Sequence, residues 1–262
     1  MSYLKVEVER FCLRSSAETM DKKKKINIIL TNEGKIDDFK SLNDAGFSVF
    51  HFPMISTSQN KSEKSFLNKS FDFFIFTSKN GVNYFFTYFY KKFRKNKGEA
   101  ICIGTKTDKE LKKYNIKSAY VAKKNYSKIL SEDLKESGIL KSKNVLLVQG
   151  NKSQNYLYES LKMYCDLTKF VAYNTELIRT VDTKLKSLID TQVTYSVFTS
   201  PSCFEAFINL YDAKKTNIIS IGQSTSLYIK NLGFSPMITS SMQTYEGIAD
   251  SIITFFNQKS IS

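Results

Sequence analysis

Two parts of this chain repeat one another, and an internal repeat restricts the possible folds more than any other single sequence feature. FIFTS at 74–78 is followed 122 residues later by SVFTS, which ends at Ser200. ICIG at 101–104 recurs 118 residues later as ISIG at 219–222. Two shorter matches keep the same order: 28–30 with 146–148, and Tyr126 with Tyr245. Because the four matches share one order, they indicate a duplication.

Within each copy, short apolar runs alternate with polar or amphipathic stretches. The strands predicted for the first copy are 25–30, 47–52, 71–76, 99–103 and 118–122. The predicted helices are a polar one that ends at Ala45 before Gly46, then 80–93 and 107–114, and, after the last of these strands, 127–137, which Gly138 closes. Alternation of this kind is typical of parallel sheets with helices on both faces. The sequence therefore predicts a duplicated α/β protein.

The repeated motifs fall where a predicted strand ends and a helix begins. Ser78 and Ser200 are predicted N-caps, and Pro201 suits a first helical position. Gly104 and Gly222 each end a strand and precede hydroxyl residues that come before a helix. Helix N-termini at the carboxyl ends of parallel strands can accept anions, but capping hydroxyls are common in any α/β protein, so both readings stay open. No glycine-rich phosphate loop occurs in the sequence, so nucleotide binding is poorly supported.

Composition narrows the classes of function. The 262 residues include one histidine, His51, which excludes a multi-histidine metal site. The four cysteines form no CxxC pair and are expected to be reduced thiols. The net charge of +14 suits nucleic acid, an anionic membrane or a polycarboxylate substrate, and a solvated lysine coat explains it as well.

Neither a membrane span nor an RNA-binding surface is expected. No apolar run approaches the ~18 residues that a span requires. Phe and Tyr mostly occupy apolar strand or helix positions, as in 71–76, instead of alternating with Arg and Gly. The first 24 residues contain arginines, serines and a lysine run, which allows a targeting segment, yet their four acids argue against one.

The repeated motifs resemble those of the uroporphyrinogen-III synthase family. The matching segments, over roughly residues 26–257, are FTSKNGV at 76–82, VLLVQG at 145–150, YNT at 173–175, FTSPS at 198–202, IGQST at 221–225 and TYEG at 244–247. Their order and spacing carry the resemblance. Gln149 replaces the family's usual arginine, and Gln223 stands where proline is common.

The resemblance implies two flavodoxin-like or Rossmann-like lobes, interleaved in the chain and joined by two crossing segments near Met54 and Tyr173. Lobe 1 would contain residues 1–54 and 174–262, and lobe 2 would contain 55–173, with 1–24 as an extension of unknown order. The repeat alone would favour dividing the chain into two lobes at the repeat boundary near Asn144.

The implied reaction converts hydroxymethylbilane to uroporphyrinogen III with loss of water and inversion of ring D, and it uses no cofactor and no metal. The resemblance makes Tyr173 a candidate proton donor to the leaving hydroxyl. The implied contacts to the substrate carboxylates are Thr77, Ser78, Asn80, Thr107, Thr199, Ser200, Ser202, Ser224 and Thr225.

We expect a monomer in the cytoplasm without nucleic-acid or membrane partners, or in an organelle such as a plastid if 1–24 act as a targeting sequence. The alternative function is a two-lobed binding protein for small polycarboxylates without catalysis.

Overall fold

The computed structural model describes residues 25–34, 36–61, 69–90, 98–122 and 127–259, which form two compact units. Unit 1 combines the chain up to Phe52 with the chain from Thr180 onward, and unit 2 comprises Pro53–Arg179. The N-terminal 24 residues and Tyr126, both considered above, lie outside the described residues.

The described residues contain eleven strands. In chain order they are β1 (Asn27–Leu30), β2 (Ser48–His51), β3 (Ile55–Gln59), β4 (Phe73–Phe76), β5 (Glu99–Ile103), β6 (Ser118–Ala122), β7 (Asn144–Gly150), β8 (Asp166–Leu177), β9 (Thr194–Phe198), β10 (Asn217–Ser220) and β11 (Ile238–Thr239).

Helices connect most of these strands. They are α1 (Lys40–Asp44), α2 (Lys79–Tyr84), α3 (Gly104–Lys112), α4 (Ser127–Glu136), α5 (Tyr156–Leu161), α6 (Thr183–Thr191), α7 (Pro201–Ile208), α8 (Gln223–Asn231) and α9 (Tyr245–Lys259), with 3-10 turns at Ile36–Phe39 and Ala213–Lys215 and a π-helix at Phe85–Phe89. Within the described residues, no helix has both the length and the apolar character that a membrane crossing requires.

Unit 1 is built on a five-stranded parallel sheet, sheet 1, in the order β11-β10-β9-β1-β2. β1 pairs with β9 in a register that places Asn27 beside Thr194 and Leu30 beside Val197. Strands in the middle of a parallel sheet are buried on both faces, which explains the apolar run in β1.

Unit 2 contains a six-stranded sheet, sheet 2, in the order β3-β8-β7-β4-β5-β6. Five of its strands are parallel, but β3 is antiparallel to β8, with Ile55 opposite Leu177 and Gln59 opposite Tyr173. The prediction of parallel strands alone was therefore incomplete. β3 is a mostly polar edge strand that is at most half-buried, so it lacks the apolar run that marks the other strands.

The strand orders confirm the duplication. The two sheets share one strand order. It is β11-β10-β9-β1-β2 in sheet 1 and β6-β5-β4-β7-β8 in sheet 2, position by position. Each sheet therefore takes two adjacent strands from the start of one copy and three from the end of the other, and sheet 2 has β3 in addition. This exchange explains why unit 1 is assembled from the two ends of the chain.

The second passage between the units lies later than the sequence suggested. The chain passes from unit 2 to unit 1 after Arg179, whereas the predicted crossing was near Tyr173. Tyr173 lies inside β8, which continues to Leu177 because β3 pairs with it beyond the end of β7. The first passage follows Phe52, close to the predicted Met54.

Helices cover both faces of each sheet, as predicted. In unit 2, Phe76 packs against the π-helix at Phe85, with ring centroids 5.4 Å apart. On the other face, Ile75 belongs to the same apolar cluster as Leu130 of α4. Unit 1 repeats this arrangement. On one face of sheet 1, Leu30 belongs to the same apolar cluster as Ile248 of α9, and on the other face Phe198 packs against Phe204 of α7.

Two helices end at the glycines that the sequence marked as stops. Gly46 follows α1 with φ +88°, and Gly138 follows α4 with φ +69°. The N–H of Gly46 donates to the carbonyl of Asn43, and the next N–H, that of Phe47, donates to Leu42. Left-handed glycines at these positions satisfy the last carbonyls of a helix.

We expect Gly46→Ala to lower the free energy of unfolding of unit 1 by about 1 kcal/mol, because a Cβ disfavours the left-handed conformation. Among the described residues, no atom lies within 4 Å of a Cβ built at Gly46, so the cost comes from the backbone alone. Urea denaturation measures it. Ser41→Ala, on an exposed position of the same helix, is the control and should be neutral or slightly stabilising. Equal midpoints for Gly46→Ala and the wild type would contradict the assignment.

Candidate functional site

The carboxyl ends of β4 and β7 meet at one edge of sheet 2. β4 is followed by Thr77 and Ser78, and β7 ends at Gly150. The two strands are neighbours, and the chain continues from them in opposite directions across the sheet, to β5 on one side and β8 on the other. Such a switch point is where open α/β sheets bind ligands.

Ser78 caps the helix that leaves this edge. Its backbone is extended, and its Oγ accepts a hydrogen bond from the N–H of Gly81 at 3.0 Å. The predicted N-cap is thus confirmed. Thr77 and Asn80, on either side of it, are half-buried.

A β-bulge sets the direction of Tyr173. The register between β7 and β8 shifts so that Gly150 faces Tyr173 and Ala172 is left without an opposite residue. Successive side chains of a regular strand point to opposite faces, yet Ala172 and Tyr173 belong to one core cluster. The bulge therefore places Tyr173 on the face of sheet 2 that α2 covers, and bulges of this kind are over-represented beside active sites.

Tyr173 contacts Ser78 directly. Its Oη lies 3.1 Å from Ser78 Oγ, within hydrogen-bond distance, and its ring stacks on Tyr84 with centroids 5.4 Å apart and planes at 17°. Tyr84 Oη lies in turn 3.0 Å from Thr57 Oγ1 on β3. Tyr173 is 8% exposed. The structure thus brings together two predicted site residues that are 95 positions apart.

Gly150 is required by this position of the Tyr173 ring. A Cβ built on Gly150 would lie 2.6 Å from Tyr173 Cζ and 2.9 Å from its Oη. Contacts this short do not occur between real atoms, so any larger residue would push the ring away from Ser78.

The segment beside Tyr173 is a π-helix, where the sequence predicted an α-helix over 80–93. α2 passes directly into the π-helix Phe85–Phe89, and 91–93 lie outside the described residues. Tyr88 stacks on Tyr84 with centroids 5.8 Å apart, so the rings of Tyr173, Tyr84 and Tyr88 form one continuous stack. Short π-helical segments are frequent at functional sites.

Unit 1 has the equivalent edge at the ends of β9 and β1. Ser200 caps α7, where its Oγ accepts a hydrogen bond from the N–H of Cys203 at 3.3 Å, as predicted. Ser202 Oγ lies 3.0 Å from Ser200 Oγ. Thr199 and these two serines are half-buried. Thr31, after β1, donates from its Oγ1 to the carbonyl of Val197 at 2.7 Å and so ties the two strand ends together.

The thiol of Cys203 lies among these hydroxyls. Burial raises the pKa of the Cys203 thiol, although hydrogen bonds from Ser200 and Thr199 act in the opposite direction. A raised pKa keeps the thiol protonated at neutral pH, as expected for a buried packing residue.

Two helices at these edges begin earlier than predicted. α3 begins at Gly104, whose φ of +75° makes the sharp turn out of β5, and α8 begins at Gln223. Thr107 and Thr225 therefore lie inside their helices, and each is 3% exposed. Ser224 is exposed on the first turn of α8.

Sequence reasoning missed Asn32 as a candidate. It follows β1 and is 1% exposed, and among the described residues neither polar atom of its side chain has a hydrogen-bond partner. Gln149 Nε2, near the end of β7, is also buried without a hydrogen-bond partner among the described residues. A polar residue two positions after a duplicated buried strand was the available signal.

No group of three or more His, Cys, Asp or Glu side chains in the described part of the chain is arranged to hold a metal ion.

The chain matches the family model described as uroporphyrinogen-III synthase HemD over residues 37–250. The chain belongs to the uroporphyrinogen-III synthase family. Two solved members are similar in structure. The enzyme of Helicobacter pylori has 20% identity and a TM-score of 0.66, with 88% of this chain and 99% of that chain covered.

The second is a mutant uroporphyrinogen III synthase of the extremely thermophilic bacterium Thermus thermophilus, with 15% identity and a TM-score of 0.61 over 90% of this chain and all of that chain. At these identities the likeness shows the uroporphyrinogen-III synthase fold. A search of curated proteins found no match.

For this member of the uroporphyrinogen-III synthase family, we expect Gly150→Ala to destabilise unit 2 by about 1–3 kcal/mol, the usual cost of overpacking. The ring of Tyr173 must move to make room for the new methyl group. A double-mutant cycle with Tyr173→Ala measures the coupling, because Gly150→Ala should cost much less once the ring is gone. Equal costs in both backgrounds would show that the ring does not limit position 150.

Proposed function

We propose that this protein is a uroporphyrinogen-III synthase, which closes hydroxymethylbilane to uroporphyrinogen III with loss of water and inversion of ring D. The observation that carries the proposal is the family match over 37–250, which spans most of the chain. The family consists of cyclising lyases of haem biosynthesis. Closure of the tetrapyrrole is chemically easy, so the task of the protein is to hold the conformer that inverts ring D.

The polar edge of each sheet supplies groups that suit the substrate carboxylates. We propose that Thr77 and Asn80 in unit 2, and Thr199, Ser202 and Ser224 in unit 1, donate to these carboxylates. All five side chains are half-buried or exposed and follow the carboxyl ends of strands.

In this proposal, Ser78 and Ser200 donate hydrogen bonds in addition to capping their helices. Their oxygens already accept backbone N–H groups, and each hydroxyl has one proton to donate. The Ser200 proton points at Cys203 Sγ at 3.2 Å, a weak acceptor that a substrate carboxylate replaces in this proposal, and the Ser78 proton is directed at Tyr173 Oη. Thr107 and Thr225 were also expected to bind substrate. Because they are buried within α3 and α8, we assign them to packing.

We propose that Tyr173 donates a hydrogen bond to the departing hydroxyl. A phenol is protonated at neutral pH and can keep its proton until the C–O bond breaks. In the proposal, Ser78 directs its proton at Tyr173 Oη, and the phenol directs its own proton at the substrate. The stack on Tyr84 and the close contact with Gly150 hold the ring in this position.

The proposed enzyme acts as a monomer in the cytoplasm, without a nucleic-acid partner. One chain supplies both units of the duplicated fold. Aromatic side chains such as Phe76, Phe85 and Phe198 are buried in the cores, which leaves them unavailable for stacking on bases.

The test of the function is the identity of the product. Hydroxymethylbilane closes without help to isomer I, so isomer III reports the enzyme. We expect the purified protein to yield mainly isomer III when the oxidised products are separated by chromatography. A protein that binds the substrate but yields only isomer I would be the non-catalytic polycarboxylate binder, and the proposal would fail.

We expect Tyr173→Phe to lower kcat by about 10- to 100-fold, at or below the low end of the range for general acids. The effect is modest because hydroxide leaves this substrate readily and water can replace the phenol. Isomer III should stay the main product, since ring inversion depends on positioning.

Tyr84→Phe is the matched control, because it removes a phenol from the neighbouring ring of the same stack, whose oxygen contacts Thr57. Its kcat should stay within about twofold of the wild type. Wild-type turnover in Tyr173→Phe would reduce Tyr173 to a packing role, and production of isomer I alone would make its role conformational.

A further inference from the structure

Asn32 lies at the carboxyl edge of sheet 1, next to the strand ends that carry Thr199 and Ser200. Its backbone is held on two sides: Thr31 binds the Val197 carbonyl, and the Asn32 carbonyl accepts a hydrogen bond from His51 Nε2 at 2.7 Å. This contact gives the single histidine of the chain a structural role. The position of Asn32 is therefore set by β1, β2 and β9 together.

The side chain of Asn32 is buried without the bonds that burial normally requires. It is 1% exposed, and among the described residues neither Nδ2 nor Oδ1 has a hydrogen-bond partner. Buried polar groups in folded proteins are almost always paired, because an unpaired one loses its hydration without compensation. An unpaired amide in a native fold therefore calls for a partner that the described residues do not supply.

The amide nitrogen of Asn32 faces Gly34 and the first residue of α9. A Cβ built on Gly34 would lie 3.2 Å from Asn32 Nδ2 and 3.6 Å from Tyr245 Oη, so both polar atoms approach the same point. The N-terminus of α9 begins at Tyr245, where Thr244 Oγ1 accepts a hydrogen bond from the N–H of Gly247 at 2.9 Å. A side chain at position 34 would crowd the amide, because its Cβ would lie closer to Nδ2 than most real Cβ contacts do.

The second unit carries a comparable group. β7 occupies in sheet 2 the position that β1 occupies in sheet 1, and Gln149 is its penultimate residue, close to the carboxyl edge. Gln149 is 1% exposed, and within the described residues its Nε2 has no partner. Both sheets thus have an incompletely bonded amide near the carboxyl edge, although the repeat aligns Gln149 with Thr31 and not with Asn32.

We propose that Asn32 is a carboxylate-binding residue of the substrate site in unit 1, with its Nδ2 as the donor and Tyr245 beside it. This inference rests on the proposed function, because the substrate class is a polycarboxylate. An amide has two N–H donors and forms neutral hydrogen bonds that remain at any pH near neutrality.

The surroundings of Asn32 favour an anion. The positive end of the α9 dipole and the hydroxyls of Thr199 and Ser200 lie at the same edge, and the chain carries a net charge of +14. Glu33 and Glu246 flank the position, but both are exposed. Asn32 is 1% exposed, so the proposal requires the turn at Glu33 and Gly34 to shift before a carboxylate can reach the amide.

The test compares Asn32→Leu with the wild type in two measurements. We expect the apparent KM for hydroxymethylbilane to rise about 10- to 100-fold, the usual effect of losing a hydrogen bond to a charged group, with kcat within about threefold. We also expect the melting temperature without substrate to stay equal or to rise, because an unpaired buried amide is replaced by an apolar side chain of similar shape. Asn32→Asp should raise KM further, since it places a like charge against the carboxylate.

Thr194→Val is the matched control, because Thr194 is also buried but is bonded to Thr216 at 2.8 Å, at the start of β9. It should lower the melting temperature and leave KM unchanged.

If Asn32→Leu does not fold, Gly34→Ala tests the same space. Its Cβ would lie 3.2 Å from Asn32 Nδ2, so KM should rise.

The outcomes separate this inference from the proposed function. A wild-type protein that makes no isomer III overturns the proposed function and this inference with it. A wild type that makes isomer III, together with an unchanged KM and a lower melting temperature in Asn32→Leu, overturns the inference alone, because the amide would then be structural.

Discussion

The parallel pairing of β1 with β9 is the constraint on which the rest of unit 1 depends. It joins Asn27–Leu30 to a strand more than 160 residues later, so the two ends of the chain must meet before sheet 1 exists. The same pairing places the end of β1, with Thr31 and Asn32, beside the FTS motif of β9. In unit 2 the pairing of β7 with β4 has the same effect within a continuous segment. Contacts this distant in sequence carry a loop-closure cost, which apolar strands buried on both faces offset.

The polar groups at the strand ends serve structure and chemistry with the same atoms. Ser78 and Ser200 each accept a backbone N–H with the hydroxyl oxygen and each have one proton to donate, which Ser200 directs at Cys203 Sγ in this structure. For Ser78, that proton can be directed at Tyr173. A capping serine is thus compatible with a role in the site, and the two readings that the sequence left open do not exclude one another.

Much of the fold could be predicted because its signals are local. The apolar runs of β1, β4 and β7 and the stops at Gly46 and Gly138 all lie within a few residues of the features they determine. β3 escaped prediction because an exposed edge strand needs no apolar face, and the starts of α3 and α8 were placed too late because hydroxyl residues suggest a cap even where they lie inside the first turn. In the site, the caps were predictable, whereas the contact between Ser78 and Tyr173 joins two distant segments.

The sequence by itself determined the duplication, the α/β class and the helix caps, because repeats, apolar runs and capping residues act over short distances. That the copies are interleaved was already implied by the family resemblance, whereas only the tertiary structure decided where β8 ends and which way Tyr173 points. For Tyr173 the physical reason is the bulge at Ala172. One residue without an opposite residue on β7 turns the next side chain to the other face of the sheet, and no local sequence pattern records it. The burial of Asn32 without a partner is likewise a property of the assembled edge, because β1, β2 and β9 create it together.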